Sequence, residues 1–352
     1  MRIGIIGVGS LGTIIGALIT KGGYSVDLID INQENVDALN QKGAKLTGFL
    51  DEVIPVSAKH PKDVSGEYDV IFLLTKQVYT KESLESILPF LHAKSVICTL
   101  QNGVPEESVA AIVGKERTVG GVVGFGATWK EPGVSELTTE VEVMKKYAFD
   151  IGELTGELTE RIVMLKDILD TVGYCEISTN IIGVKWSKLL MNATFSGMSA
   201  ALGCTFGEVL YNSHAMKGLA NIADETIKVA RAHHIKLVEM QGKDFEFLEL
   251  ENQTDISGKM AFYEEVWGPH ARLKASMLQD LEKGRKTEID FINGHVSKKG
   301  REANIPTPYN DLVCKLVKSS EETKELPVFE ENINEFQSLF NQFIHSKSLS
   351  NH

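Results

Sequence analysis

Residues 2–12 read RIGIIGVGSLG, a short isoleucine-rich run that leads directly into a glycine-rich turn. The following SLGTIIGALITKGG (10–23) has the apolar spacing of a helix and ends on a double glycine, and YSVDLID (24–30) alternates like a second strand. A strand, a helix and a second strand within thirty residues form a βαβ unit. The sequence therefore predicts a parallel sheet.

The glycine turn has the spacing G-x-G-x-x-G. In this pattern the first glycine allows a tight turn, the second lets a pyrophosphate approach the backbone, and the third lets the helix pack closely on the strand. The preceding strand and the following helix favour dinucleotide binding over the alternative, a turn that serves packing alone. The predicted cofactor-binding segment consists of Gly7, Val8, Gly9, Ser10, Leu11 and Gly12.

Asp30 ends the second predicted strand, at the place where a carboxylate accepts hydrogen bonds from the adenosine ribose. Because a carboxylate there repels a 2′-phosphate, Asp30 favours NAD(H) over NADP(H). Lys76, at the end of the apolar segment DVIFLLTK, is a further candidate for binding the cofactor on its adenosine side, and a cation there argues against this preference. The alternative for Asp30 is that it caps or solvates a turn.

Strands and helices continue to alternate as far as RTVGGVVGFGATW (117–129), which predicts a doubly wound α/β domain. PGVSELTT (132–139) and YAFDIGELTG (147–156) are predicted strands that close the sheet. After YCEIST the strand patterns end and nearly everything is helical. We therefore predict an N-terminal dinucleotide-binding domain at 1–180 and a C-terminal all-helical substrate domain at 181–318.

The helical part is predicted to contain five helices, and an acidic segment near residue 250 is a loop or an inserted helix. A tail at 319–352 has phenylalanines at near-helical spacing, including Phe343, and is expected to be a docking helix or part of an oligomer contact, as in a homodimer. The five predicted helices span residues 184–202, 213–234, 257–283, 287–303 and a last segment from about 308.

Composition excludes several classes of protein. The chain has 352 residues, 43% hydrophobic and 24% charged, which is typical of a folded globular protein of about two domains. A formal net charge of −12 argues against a nucleic-acid partner. Four scattered cysteines and nine histidines show no metal-binding spacing, and neither a membrane span nor a signal peptide is indicated, so we expect a cytoplasmic protein.

One lysine is unexpected in the apolar helix GVKWSKLLMNATFSGMS (183–199). Lys188, Asn192, Ser196 and Ser199 fall at i, i+4, i+8 and i+11 and share one helix face. A face with lysine, asparagine and serine but a single charge is typical of a wet cavity rather than of a solvated surface. The alternative is a lysine that extends its ammonium group to the surface.

The sequence resembles the ketopantoate reductase (2-dehydropantoate 2-reductase) family over most of its length. The long SMLQDLEKGRKTEIDFING match and WSKLLMN are much more specific than the glycine motif. The other matching segments are GVGSLG, LLTK, QNG, GATWKEPG and ANIPTP.

The resemblance implies a Rossmann domain joined to a helical domain, with a 2-keto acid bound in the cleft between them. It implies that Lys188 is the general acid, that Asn192 and Ser276 bind substrate, that Asn102 lies near nicotinamide and substrate, and that Glu288 contacts the substrate hydroxyl or the lysine. The chemistry requires such groups, because hydride addition to a ketone builds negative charge on its oxygen. A cation with a transferable proton stabilises that charge.

Structural roles remain open for three of these residues: Glu288 at a helix start, Ser276 as an ordinary helix serine, and Asn102 in a turn. Ser196, predicted to bind substrate, stands where the family often has asparagine. Many members of the family use NADPH, whereas Asp30 favours NADH. The sequence thus predicts a reductase of a 2-keto acid, most simply ketopantoate. The alternatives are an NAD-dependent D-2-hydroxyacid dehydrogenase and a non-catalytic dinucleotide sensor.

Overall fold

The computed structural model describes residues 1–240 and 242–349, with side chains up to residue 342. The chain divides into two compact units, Met1–Lys185 and Trp186–His352. None of the described helices has the length and apolar character that a membrane span requires.

The first unit begins with β1 (Arg2–Ile6), α1 (Ser10–Lys21) and β2 (Ser25–Ile29), and β1 and β2 pair in parallel. The predicted βαβ unit is therefore confirmed. Its other elements are α2 (Gln33–Lys42), β3 (Ala44–Gly48), β4 (Glu52–Ile54), β5 (Ser57–Lys59), β6 (Tyr68–Leu73), α3 (Thr80–Ile87), β7 (Leu91–Thr99), α4 (Glu106–Val113), β8 (Thr118–Val123), β9 (Ala127–Glu131), β10 (Val134–Leu137), α5 (Val141–Tyr147), β11 (Phe149–Glu153), α6 (Glu160–Leu169) and β12 (Cys175–Ile177).

An eight-stranded sheet in the order β12-β11-β8-β7-β6-β1-β2-β5 organises this unit. Alternate residues of its central strands enter different cores: Ile5 and Phe72 belong to one apolar cluster, and Ile6 and Ile71 to another. Both faces are therefore covered, as a doubly wound sheet requires. All pairings are parallel except β8 with β11. Between β8 and β11 the chain forms β9, β10 and α5, instead of the single crossover helix that connects parallel strands.

Two predictions about the strands of a second sheet are wrong. RTVGGVVGFGATW is two strands, β8 and β9, separated by residues 124–126, which bend at Phe125 and belong to neither strand. A Cβ on Gly124 would lie 2.2 Å from the Tyr147 carbonyl oxygen, so only glycine allows this close approach. PGVSELTT, which becomes β10, was predicted to close the main sheet and instead joins a four-stranded sheet, β4-β3-β10-β9. Its Ser135 Oγ donates to the Ser10 carbonyl, 2.7 Å away at the start of α1, so β10 lies beside that helix.

The second unit is helical in its described residues. Helix α7 begins in the first unit and continues through a π-helical turn, Asn192–Ser196, into α8. The helices are α7 (Ile181–Met191), α8 (Gly197–Leu202), α9 (Phe206–Leu210), α10 (Ser213–Ala232), α11 (Ile256–Trp267), α12 (Ser276–Glu282), α13 (Asn293–Glu302), α14 (Pro308–Thr323) and α15 (Phe329–Leu349).

Two predicted helices of this unit are wrong in extent. Residues 257–283 form two helices, because α11 ends at Trp267 and Pro269 follows, whose ring and missing N–H interrupt helical hydrogen bonding. In the predicted helix 287–303, a 3₁₀ turn precedes α13, which begins only at Asn293.

The helical tail is confirmed as α15. Phe336 is buried there, and a Cβ on Gly218 of α10 would lie 2.8 Å from its ring, so the tail helix docks on α10 of its own unit. An oligomer contact, as in a homodimer, stays a prediction. The side chain of Phe343 lies outside the described residues.

Candidate active site

The glycine turn connects the end of β1 to the first turn of α1. Gly7 has φ 91°, and a Cβ there would lie 2.5 Å from the backbone nitrogen of Thr75. A Cβ on Gly12 would lie 2.1 Å from the Gly7 carbonyl oxygen, whereas a Cβ on Gly9 would meet no described atom within 4 Å. Packing therefore requires glycine at two of the positions, while the third borders open space.

This open space fits the pyrophosphate of a dinucleotide. Gly9 is the N-cap of α1, and no side chain among the described residues caps the first turn, which also contains no acidic residue. The first N–H groups of a helix have no partner within the helix and attract anions. Ser10 and Leu11, which follow Gly9, are half-buried. Val8 is buried, and its carbonyl accepts a hydrogen bond from Asn35.

A buried asparagine joins the glycine turn to Asp30. Asn35 Nδ2 donates to the Val8 carbonyl at 3.0 Å and to Asp30 Oδ2 at 3.2 Å, and its Oδ1 accepts from Gly133 N at 2.9 Å. Asp30 Oδ1 accepts from Asn32 N at 2.9 Å, so Asp30 also stabilises the turn after β2. Sequence reasoning missed Asn35. The sequence feature that could have identified Asn35 is its place at the start of α2, five residues after Asp30.

Lys76 and Asn102 follow the next two strands of the sheet. Lys76 is half-buried after β6, and the carbonyl of Asn102, after β7, accepts from Gln77 Nε2 at 2.5 Å. Strands β2, β1, β6 and β7 are parallel neighbours, so their carboxyl ends lie at one edge of the sheet. The glycine turn, Asp30, Lys76 and Asn102 therefore share that edge, where such sheets bind ligands.

A second lysine of the α7 segment was also missed. Lys185 is 1% exposed, its Nζ donates to the Gln101 carbonyl at 2.8 Å, and it lies 3.0 Å from Oε1 of Glu106, which is 2% exposed. Burial raises the pKa of the Glu106 carboxyl, although Lys185 acts in the opposite direction. The Gln101 side chain in turn donates to the Thr75 carbonyl at 2.8 Å. A lysine buried in this way holds the loop after β7 and is not accessible to a small substrate.

Lys188 lies one turn later in an environment of a different kind. Lys188, Asn192 and Ser196 are half-buried, whereas most of their neighbours in the segment are fully buried. The three residues thus form an accessible polar stripe on an apolar helix. Ser199, expected on the same face, is instead buried and structural: its Oγ donates to the Cys204 carbonyl at 2.5 Å.

Hydrogen bonds bring the segments that contain Ser276 and Glu288 beside this helix. Ser199 Oγ also accepts from Ala275 N at 3.1 Å, which places the exposed Ser276, the first residue of α12, near the end of α8. Asn293 Nδ2 donates to the Ala193 carbonyl at 2.9 Å.

The half-buried Glu288 is on the segment that leads to Asn293. It is the N-cap of the 3₁₀ turn Ile289–Phe291, so it does stand at a helix start, although not at the start of the predicted α-helix. Five predicted residues of the second unit therefore lie on three adjoining segments.

Among the described residues, no group of histidine, cysteine or acidic side chains is arranged to hold a metal ion. The predicted site residues fall into two sets, one in each unit. The first set comprises the segment Gly7 to Gly12, Asp30, Lys76 and Asn102, and the second comprises Lys188, Asn192, Ser196, Ser276 and Glu288.

Family models match both units. The model described as "Ketopantoate reductase PanE/ApbA" matches residues 3–149, and "Ketopantoate reductase PanE/ApbA C terminal" matches residues 180–321. The 2-dehydropantoate 2-reductase of Pyrococcus horikoshii is 30% identical over 323 residues, 91% of this chain and 98% of the relative. That of Archaeoglobus fulgidus is 30% identical over 322 residues, with the same coverage.

The fold of this chain is similar to that of solved structures. The ternary structure of D-mandelate dehydrogenase with NADH and anilino(oxo)acetate has a TM-score of 0.78 at 26% identity and covers 92% of this chain and 99% of that one. The 2-dehydropantoate 2-reductase of Geobacter metallireducens has a TM-score of 0.77 at 25% identity and covers 91% of this chain and 100% of that one.

Proposed function

This chain belongs to the ketopantoate reductase family, and from that membership we propose that it reduces a 2-keto acid, ketopantoate (2-dehydropantoate), to the 2-hydroxy acid pantoate. At the coarser level it is an NAD(P)-dependent oxidoreductase that acts on a CH–OH group. The observation that carries the proposal is the accessible stripe of Lys188, Asn192 and Ser196 in an otherwise buried helix.

The first unit offers a fitting site for the dinucleotide, because the open space at Gly9 adjoins the N-terminus of α1. We assign the pyrophosphate to the glycine turn, the adenosine ribose to Asp30, and further contacts to Lys76 and Asn102. When bound, the reduced cofactor supplies the hydride that is added to the keto carbon.

Lys188 holds the proton that this reaction consumes. Its ammonium group stabilises the negative charge that develops on the ketone oxygen, and its Nζ then donates a proton to that oxygen. Asn192 and Ser196 bind the substrate along the same stripe, Ser276 binds it from the start of α12, and Glu288 contacts the new hydroxyl or Lys188. The burial of Lys185 supports this choice between the two lysines.

Replacing the proton donor tests the proposal. Lys188→Met keeps an unbranched apolar side chain but removes the proton, so we expect kcat for keto-acid reduction to fall by about 10² to 10⁴. The Kd for NADH, measured by fluorescence titration, should change less than twofold. Lys315→Met is the matched control, because Lys315 is an exposed lysine of α14 that pairs with Glu335. A kcat within tenfold of wild type in Lys188→Met would contradict the proposal.

A second candidate is an NAD-dependent D-2-hydroxyacid dehydrogenase. It is favoured by the carboxylate of Asp30, which is held at the end of β2 by hydrogen bonds to both oxygens. The D-mandelate dehydrogenase similarity and the short side chain of Ser196 point the same way. Oxidation of NADH and NADPH should be compared with ketopantoate and with aromatic and branched 2-keto acids. Turnover of these acids but not of ketopantoate, with either cofactor, would select the second candidate.

A non-catalytic dinucleotide sensor is the remaining alternative. It predicts cofactor binding without keto-acid reduction, so Lys188→Met would have no activity to lose. A large loss of turnover in that variant, with the affinity for NADH retained, would exclude the sensor.

A further inference from the structure

The π-helical turn Asn192–Ser196 determines where the polar stripe points. Gly197 N donates across this turn to the Asn192 carbonyl, an i→i+5 bond in place of i→i+4. The π-helical turn contains about one residue more than a turn of α-helix. Without that extra residue, the residues after the turn would be rotated by roughly 100° relative to Lys188, because an α-helix has 3.6 residues per turn. Asn192 begins the turn and keeps the i+4 spacing from Lys188, whereas Ser196 ends it, so the direction of Ser196 relative to Lys188 depends on the turn.

One buried side chain contacts this turn at two places. Asn293 is 0% exposed, and its Nδ2 donates to the Ala193 carbonyl, which lies inside the turn. Its Oδ1 lies against Gly197, where a Cβ would be 2.7 Å away. A single amide therefore contacts the backbone both within the turn and directly after it.

Asn293 is itself held from behind by a buried network. Its Nδ2 donates also to Asn310 Oδ1 at 3.0 Å, and Asn310 Nδ2 donates to Glu225 Oε2 at 2.8 Å. Glu225 accepts two further bonds, from Tyr309 N at 2.9 Å and from Asn310 N at 3.0 Å, at the start of α14. Burial raises the pKa of Glu225 to about 8. A buried network of this kind fixes the orientation of its members.

We propose that Asn293 is a positioning residue, which holds the π-helical turn and thereby directs Ser196 toward the substrate bound at Lys188. The inference rests on the function proposed above. Asn293 does not touch the reacting atoms, so its effect must pass through the stripe.

Removal of the amide gives the first test. Asn293→Ala should raise KM for the keto acid about tenfold, the size expected when one hydrogen bond to the substrate is lost. The Kd for NADH should stay within twofold, because the dinucleotide residues are in the other unit. Asn221→Ala is the matched control: Asn221 is also buried, and its Nδ2 donates to the Lys217 carbonyl and to Gln253, away from the turn. An unchanged KM in folded Asn293→Ala would overturn the proposal.

Gly197→Ala tests the same contact from the other side and decides the question if Asn293→Ala does not fold. The added Cβ would lie 2.7 Å from Asn293 Oδ1 and displace the amide. We expect a similar rise in KM with the NADH affinity retained. A folded Gly197→Ala enzyme with the KM of wild type would overturn the proposal.

A double-mutant cycle separates positioning from a merely structural role. If Asn293 acts through Ser196, then Asn293→Ala should raise KM less than twofold further in the Ser196→Ala enzyme. Effects that multiply would overturn the positioning role. If they multiply while Lys188→Met loses turnover, only this inference fails. If wild type shows no keto-acid turnover, the proposed function fails and this inference with it.

Discussion

Replacing Gly9 by alanine separates what the glycine turn does for the cofactor from what it does for the fold. A Cβ on Gly9 meets no described atom within 4 Å, so Gly9→Ala should fold like wild type. The added methyl group occupies the space through which a pyrophosphate would reach the first N–H groups of α1. Loss of one charge-assisted hydrogen bond would weaken NADH binding by about 1.5–3 kcal/mol. That is roughly 10- to 140-fold in Kd.

Gly12→Ala is the contrasting variant within the same turn. Its Cβ would lie 2.1 Å from the Gly7 carbonyl oxygen, a backbone atom that cannot move aside easily. Overpacking costs typically about 1–3 kcal/mol. At the upper end this cost lowers the Tm by roughly 6–12 °C for a unit of this size.

Two measurements on each variant distinguish the outcomes. Thermal melting without cofactor reports the fold, and NADH fluorescence titration reports the site. We expect Gly9→Ala to lose affinity with its Tm unchanged, and Gly12→Ala to lose Tm. A Gly9→Ala protein that binds NADH within threefold of wild type would refute the assignment of the pyrophosphate to this turn. A large fall in its Tm would refute the reading of the space as open.

Two further predictions concern buried charges of the first unit. Lys185→Met leaves Glu106 buried without its cation and should cost about 3–5 kcal/mol in urea unfolding. The double variant Lys185→Met/Glu106→Leu should recover much of that loss, and equal instability of both would contradict the ion-pair argument. Burial alone would raise the pKa of Asp27, but hydrogen bonds from Arg2, Lys59 and Tyr68 lower this pKa below the ordinary aspartate value of 3.8. The ionised Asp27 therefore stabilises the folded protein fully above about pH 4. This stabilisation is lost as the pH falls through the pKa of Asp27 in the folded protein. Asp27→Asn should cost about 2–3 kcal/mol at pH 7, with the difference from wild type shrinking below about pH 4; a difference independent of pH would show that the charge does not matter.

Strand patterns determined the first βαβ unit but not the sheet that each later strand would join. The alternation in PGVSELTT identifies β10 correctly, yet β10 pairs with β3, which lies far earlier in the sequence. Pairing depends on which edges the intervening segments leave available, and no local pattern records that. The break between α11 and α12 is different, because Pro269 is a local signal that the sequence does contain. The prediction overlooked this proline because the residues on both sides have helical spacing.

The two lysines of α7 show the same limit at the level of the site. Both stand in one apolar helix pattern, and only the structure shows that Lys185 is enclosed by Gln101 and Glu106 while Lys188 stays accessible. Sequence reasoning reached Lys188 through the family resemblance and the spacing to Asn192. It had no means to detect the partner of Lys185.

The sequence by itself determined the glycine turn, Asp30 at the end of the second strand, and the spacing of the polar stripe. These features depend on residues that are close together in the chain, whose φ angles and side-chain directions follow from local geometry. The tertiary structure alone decided the π-helical turn, which Asn293 contacts from 100 residues away. Hydrogen bonds and burial of that kind arise only when distant segments pack together, so no local pattern specifies them.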